Sequence, residues 1–175
     1  MGKNHLEKVR VNGDVLEQHS VYQIKKNWQD FSKWTPSGEV IKVSEYETMT
    51  DEIRDNNAKL LESFGEYLEA KEKLSQRVIK RHQENASLFI DDYLLYYGIK
   101  TLTTDALEVG AFISDWYVEK FLQVNLLNVS QLGTSMKKFF KFLEEANEIP
   151  SSDAEGIRLM IKNAVKQGQL RLENS

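Results

Sequence analysis

Apolar side chains recur at alternating steps of four and three residues through the second quarter of the chain, which is the spacing of one helix face. Helix-start signals precede them, with Ser44 three residues before Glu47 and another signal at Thr50. The pattern predicts one long, heptad-like helix over residues 44–85. Its repeating positions are Ile53, Asn57, Leu60, Phe64, Tyr67, Lys71, Leu74 and Val78.

A helix of this kind is typical of either a coiled coil or a helix bundle. Leu61 and Leu68 widen the apolar stripe, which favours the bundle. The heptad-like spacing also makes the apolar positions a candidate surface for another protein or a second copy of the chain. We call these positions the seam residues: Ile53, Leu60, Phe64, Tyr67, Leu74 and Val78.

Two further helices are predicted in the middle of the chain. The first carries a broad aromatic face that ends at Gly98, a common helix terminator. The second starts at Thr103 or Thr104, which are good N-terminal caps. The residues expected to be buried are Leu88, Phe89, Tyr93, Leu94, Tyr96 and Tyr97 in the first helix, and Leu107, Ala111, Phe112 and Trp116, with Phe121 as a further candidate, in the second.

Two more helices are predicted before the carboxyl terminus. One starts at Asn128 or Ser130 and stops before Pro150, and the other is capped by Ser152 and ends at Gly168. The predicted buried residues are Leu132, Met136, Phe139, Phe140 and Leu143 in the first, and Ile157, Met160, Ile161, Ala164 and Val165 in the second.

The first 43 residues fit two templates. Val11 and Val15 flank Asn12-Gly13, the commonest signal for a two-residue hairpin turn. Alternatively, Asp14 caps a helix that buries Tyr22 and other apolar residues. A short hairpin or arm followed by a short helix is the expected structure.

These elements predict an all-α fold: a helical bundle of about five helices, one of them long and heptad-like, with a small N-terminal arm or hairpin. The absence of proline from residues 37–149 agrees with helices joined by short turns. We expect an arm over 1–43 and a bundle over 44–175, divided into the long helix 44–85, an aromatic module 86–150 and a C-terminal helix 152–168.

Composition excludes several classes of protein. There is no cysteine, which rules out disulfides and thiolate sites, and no apolar run approaches the ~20 residues needed to span a bilayer. The N-terminus has no apolar secretory segment, so a cytoplasmic protein without membrane contact is expected. The net charge of −4 disfavours a surface built entirely for nucleic acid.

No catalytic constellation is recognisable. His5, His19 and His82 are far apart, and no Glu-x-x-His pair of a carboxylate metal site occurs. The doublets Asp91-Asp92 and Glu144-Glu145 point in different directions on a helix, so neither forms a facing acid pair. We therefore predict a non-enzymatic protein with no catalytic residue, cofactor or metal site.

Two basic clusters are candidate binding surfaces or ordinary salt-bridged faces. One lies on the long helix at residues 71–81, interleaved with glutamates, and the other comprises Lys137, Lys138 and Lys141 beside an aromatic run. Clustered cations are what phosphate contacts need, whereas interleaved acids favour the salt-bridged interpretation.

The stretch from Phe89 to Pro150 resembles the helical core-binding domain of tyrosine recombinases. The matching residues are Phe89, Tyr93, Leu94, Gly98, Thr104, Leu107, Phe112 and Trp116, then the run from Thr134 to Leu143, and Glu148-Ile149-Pro150. The resemblance implies a helical DNA-gripping module in which Thr134, Lys137, Lys138 and Lys141 contact phosphates. Residues 151–175 leave no room for that family's catalytic domain, so recombinase activity is not expected.

The expected function is therefore that of a helical protein-interaction or regulatory protein, with a protein partner or a second copy bound at the seam residues. The alternative is a DNA-binding accessory protein that uses the recombinase-like module.

Overall fold

The chain folds as an all-α helical bundle preceded by a short β-hairpin. The computed structural model describes residues 6–11, 14–19, 21–35, 38, 40–96 and 98–175. Strands β1 (Leu6–Val11) and β2 (Asp14–His19) pair antiparallel, with Leu6 opposite His19. The hairpin prediction is confirmed and the alternative helix capped by Asp14 is wrong, while the expected turn residues Asn12 and Gly13 lie outside the described residues.

Where a short helix is predicted after the hairpin, residues 21–30 have no regular secondary structure and lie along the first helix, and only a 3₁₀ turn follows at Phe31–Trp34. Side chains of that helix satisfy the backbone of this segment: the Ser63 hydroxyl donates to the Lys25 carbonyl at 2.9 Å, and Asn56 bonds both the N–H and the carbonyl of Gln29 at 2.7 and 3.0 Å. Trp28, Phe31 and Trp34 are thereby inserted into the core.

The first helix, α1, runs from Val43 to Glu72 and starts close to the predicted Ser44. The acid that bonds back to the chain at its start is Glu45, whose carboxylate accepts from the Lys42 N–H at 3.2 Å. Helix α1 ends where Lys73 adopts a left-handed conformation, with φ 52° and ψ 37°. Helix α1 is the longest helix among the described residues, as predicted.

The prediction of one continuous helix over residues 44–85 is wrong. Ser75 caps a second helix, α2 (Gln76–Ser87), by accepting from the Val78 N–H at 3.4 Å. The chain reverses at this break, because Gln83 of α2 donates to the Leu61 carbonyl of α1 at 2.8 Å. The two halves of the predicted helix therefore pack side by side as an antiparallel pair.

Both middle helices contain wide π turns. Helix α2 continues into a π turn at Leu88–Tyr93, closed by a bond from the Leu94 N–H to the Phe89 carbonyl at 2.9 Å. Helix α3, residues 106–120, comprises a 3₁₀ turn (Ala106–Glu108), an α turn (Val109–Ala111), a π turn (Phe112–Trp116) and a final α turn (Tyr117–Lys120). An extra residue in a wide turn rotates the face that follows it.

The predicted stripe of α3 is only partly correct. Phe112 is buried and Trp116 half-buried as expected, but Leu107 and Ala111 are exposed and Phe121 is 40 % exposed. Val109 and Ile113 take the buried positions instead.

The last two helices form an antiparallel pair. Helix α4 runs from Leu126 to Glu145 and starts before both predicted positions, Asn128 and Ser130, because Asn125 and Asn128 exchange capping hydrogen bonds of 2.9 Å. Its predicted core residues are all buried: Leu132, Met136, Phe139, Phe140 and Leu143.

Helix α5 (Ser151–Glu173) passes through Gly168 rather than ending there. Gly168 is needed for close packing, since a Cβ atom at this position would lie 3.2 Å from the Ile113 carbonyl oxygen of α3. In the described part of the chain, no helix is both long enough and apolar enough to cross a bilayer.

Candidate interaction surfaces

Most seam residues are buried inside the chain's own core. Ile53, Leu60 and Phe64 are fully buried and Tyr67 is 3 % exposed, while Leu74 and Val78 at the break are half-buried. The Phe64 ring lies 5.3 Å from that of Phe139 and 5.4 Å from that of Phe142. Helix α4 thus occupies the seam, and the prediction that these residues form an exposed interaction surface is wrong.

Three of the four predicted phosphate contacts share an exposed line on α4. Thr134, Lys137 and Lys141 are exposed at successive helical steps, whereas Lys138 turns toward the end of α1 and pairs with Glu72 at 2.6 Å. Lys138 therefore does not fit the predicted role of a phosphate contact, because its charge is already paired with Glu72 inside the bundle.

Helix α5 adds a cation to this line. Arg158 shares a shallow groove with Lys137, Lys141 and Glu144. Within the described residues, Lys137, Lys141 and Arg158 form no ion pair. We call these three cations and Thr134 the basic line. Sequence reasoning missed Arg158, although the short turn between the two helices implies that residues equidistant from it are neighbours.

A larger, apolar groove lies at the connection between α3 and α4. This apolar groove encloses about 580 Å³ and opens to solvent. Four members of its lining are exposed, among them Leu122, whose side chain is fully exposed. Its lining residues are Leu88, Tyr117, Lys120, Phe121, Leu122, Gln123, Val124 and Asn128.

Sequence reasoning missed the apolar groove. The available signal was the pair of apolar doublets, Phe121-Leu122 and Leu126-Leu127, which flank polar residues without the periodicity of a buried helix. The sequence pattern predicts Phe121 only as a core residue. In the structure Leu126 and Leu127, at the start of α4, are 41 % and 63 % exposed.

The charges around the apolar groove are unevenly partnered. Arg171 of α5 bonds Asp115 at 2.6 Å and also pairs with Glu119, so two acids of α3 share one cation and one negative charge remains in excess. The Lys120 ammonium lies above two aromatic rings, 5.5 Å from the Tyr96 centroid and 6.0 Å from that of Trp116. It forms no ion pair with any described carboxylate.

One buried pair, His82 and Ser135, has the residue types of a catalytic site but is not accessible. His82 Nδ1 lies 2.7 Å from the Ser135 hydroxyl, which also accepts from Asn85 at 2.9 Å. Both His82 and Ser135 are buried between α2 and α4, so a substrate cannot reach the hydroxyl. Burial lowers the pKa of His82, and the neighbouring charges of Arg81 and Lys138 lower it further.

The acidic doublets do not converge on a cleft. Asp91 is partly buried rather than solvated, with its carboxylate held by Asn57 at 2.8 Å and Ser87 at 2.8 Å, while Asp92 is exposed. Burial raises the pKa of Asp91, partly offset by those hydrogen bonds. Over the described residues, no group of three potential ligands is placed to hold a metal ion.

Comparison of the whole chain with models of protein families, with curated proteins and with solved structures finds no match.

Proposed function

We propose that this protein is a non-enzymatic interaction or regulatory protein that binds another protein at the apolar groove. The observation that carries the proposal is the open apolar groove with the fully exposed Leu122 in its lining, followed in the chain by the exposed Leu126 and Leu127. Contiguous apolar patches rimmed by polar residues are typical of protein interaction sites. The groove replaces the seam residues as the candidate surface.

The distribution of polar groups also supports a binding role. The His82–Ser135 pair and the Asp91 carboxylate join neighbouring helices inside the bundle. Packing between elements therefore accounts for these groups without catalysis.

The proposal is tested by capture from an extract of the cells that express the chain, using three immobilised forms: wild type, Leu122→Asp and Leu159→Asp. Leu159 is an exposed leucine on α5 outside the groove lining, so it controls for the substitution itself. A leucine covered at an interface contributes about 1.5–3 kcal/mol, which corresponds to a loss of tenfold or more. We expect a stoichiometric partner that wild type and Leu159→Asp retain and Leu122→Asp loses.

Retention of the same partner by Leu122→Asp would contradict the proposal. Sedimentation of the purified protein over a concentration series identifies the case in which the partner is a second copy, because Leu122→Asp would then abolish a concentration-dependent rise in mass.

A DNA-binding accessory function is the second candidate. It is supported by the convergence of Lys137 and Lys141 of α4 with Arg158 of α5 along one exposed groove, with no ion pair to another described residue. Cations on two adjacent helices can contact phosphates along one duplex strand. The resemblance of residues 89–150 to a recombinase core-binding domain is compatible with this proposal.

Titration of a DNA duplex at about 50 mM salt tests this candidate, since electrostatic binding is strongest at low salt. Binding should weaken with added salt and should be lost in the double variant Lys137→Glu/Lys141→Glu. The variant Lys25→Glu/Lys59→Glu makes the same charge change at exposed positions outside both basic clusters and should retain more of the binding. Absence of wild-type binding at this salt concentration would eliminate the candidate.

A further inference from the structure

The segment that precedes α1 is held to the bundle by side chains. We call residues 21–34 the strap. It runs antiparallel to α1, because its contacts pass from Ser63, which donates to the Lys25 carbonyl, to Glu52, which accepts from the Trp34 indole N–H at 2.9 Å. Contacts of this kind depend on the sequence of the strap and are the same whichever copy of the chain supplies it.

The surface under the strap fits the strap's own aromatic side chains. This surface, which includes Phe142 of α4 and Glu148 after it, is the strap groove. Trp28 and Phe31 are buried in it, and the Trp28 ring lies 5.9 Å from that of Phe142. The Trp28 indole N–H donates to Glu148 at 2.8 Å, and the Lys26 ammonium pairs with the same carboxylate at 3.5 Å. Buried aromatic anchors of this kind are typical of binding hot spots, and a second copy carries the same anchors in the same order.

The connection from the strap to α1 is long enough to reach a second copy. Residues 35–42 separate the 3₁₀ turn from α1, and eight extended residues span up to about 28 Å, more than two helix diameters. Both ends of the connection are already extended, with ψ 125° at Thr35 and ψ 153° at Lys42. The reversal between them passes through Gly38, whose φ of 79° favours glycine. An extended Gly38 would open the connection and carry the strap away from its own α1.

The connection also carries apolar side chains that the described part of the chain leaves exposed. Val40 is fully exposed, Val43 at the start of α1 is 74 % exposed, and Ile41 is 38 % exposed. In a twofold dimer that exchanges straps, the two connections would cross beside the axis and bring these side chains next to their symmetry mates. Their removal from water would favour the exchanged dimer over the monomer.

We propose that the strap groove is a binding site for a second copy of the chain: the strap of each copy lies in the groove of the other, and each chain opens at Gly38. The inference goes beyond the proposed function, because it concerns a different surface and does not involve Leu122. A short linker holds the strap at an effective concentration of about 1 mM beside its own groove, so exchange competes with the monomer at a similar protein concentration.

The test is crosslinking between two singly substituted chains, since the chain has no cysteine of its own. Lys26→Cys places a thiol on the strap, and Glu148→Cys places one in the strap groove where the two side chains meet. The two variants are unfolded together in urea, refolded at about 1 mM and treated with a short bismaleimide. Lys26→Cys mixed with Leu159→Cys is the control, because Leu159 is an exposed residue of α5.

We expect a covalent heterodimer of Lys26→Cys with Glu148→Cys and only background crosslinking with Leu159→Cys. Adding Gly38→Val to both chains should raise the dimerisation constant about tenfold or more, because valine strongly disfavours a positive φ. Gly156→Val, at a glycine without a positive φ, should leave the constant unchanged. The heterodimer should also persist when both chains carry Leu122→Asp.

Four results would overturn the inference: no heterodimer at about 1 mM, equal yields from the two cysteine pairs, no increase with Gly38→Val, or loss of the heterodimer with Leu122→Asp. The last result would assign the contact between copies to the apolar groove. The proposed function is tested separately, since it fails if Leu122→Asp retains the captured partner.

Discussion

At the scale of single residues, two glycines in the last helix pair differ in what surrounds them. A Cβ atom at Gly133 of α4 would lie 2.4 Å from Cγ2 of Val165 in α5, whereas one at Gly156 would meet nothing within 4 Å. Gly133 therefore sets the close approach of the two helices that present the basic line.

We predict that Gly133→Ala lowers the free energy of unfolding by about 1–3 kcal/mol, because the β-branched Val165 must shift. Gly156→Ala, at an uncrowded helical position, should raise it by about 0.5–1 kcal/mol. Urea unfolding of the three proteins measures both changes. A stabilising Gly133→Ala would show that α4 and α5 do not pack as described.

The buried imidazole of His82 gives stability a dependence on pH. Burial lowers the pKa of His82 in the folded protein, whereas the unfolded chain keeps a histidine pKa of about 6.5. The unfolded state then binds more protons, so the stabilising contribution is present above about pH 6.5 and is lost as pH falls toward the folded pKa.

We predict that the free energy of unfolding decreases more steeply between about pH 7 and pH 5 in the wild type than in His82→Gln. Urea unfolding at several pH values measures the two slopes. Parallel slopes would mean that His82 has the same pKa in the folded and the unfolded chain. That result would contradict the burial of His82 beside Ser135.

Residue environments were predictable where a regular helix carries a wide apolar face. Phe139 and Leu132 lie in such a face, and their burial follows from spacing alone. The positions of Arg158 in the basic line and of Lys120 in the apolar groove could not be predicted, because they depend on which elements pack beside these residues. The pairing of Asp115 and Glu119 with Arg171, more than 50 residues away in sequence, is equally invisible to local patterns.

At the scale of elements, the decisive feature is the break between α1 and α2. Lys73 holds a left-handed conformation there, which costs a non-glycine residue roughly 1–2 kcal/mol. We predict that Lys73→Gly raises the free energy of unfolding by about 1 kcal/mol, because glycine adopts this conformation without a steric penalty.

Lys71→Gly is the matched control for this substitution. Lys71 is an exposed residue inside the last turn of α1, where glycine should lower stability by about 1 kcal/mol. Thermal or urea unfolding measures the change in the free energy of unfolding for each variant. An increase for Lys73→Gly and a decrease for Lys71→Gly would establish the break. If both variants destabilise equally, α1 continues through residue 73 and the single helix of residues 44–85 is restored.

The break was not predictable from periodicity, because Leu74 and Val78 continue the apolar repeat across it. The local signal was Ser75, a good cap within an otherwise helical pattern. The change from a 3₁₀ turn to an α turn and then to a π turn along α3 has no comparable sequence signal, so the buried face of α3 could be learned only from the structure.

At the scale of the whole molecule, the reversal at Lys73 determines which surfaces remain available. Because α1 and α2 fold against each other and against α4, most of the seam residues become core. The apolar groove and the basic line are left exposed at different places on the bundle, one at the connection between α3 and α4 and the other along α4 and α5.

The most direct test of the proposal that the apolar groove is the binding surface is hydroxyl-radical footprinting of the protein alone and with its captured partner. We predict that binding protects Tyr117, Phe121 and Leu122, while the exposed Leu159 stays as reactive as in the free protein. Protection confined to the basic line, or no change at residues 117–124, would contradict this account.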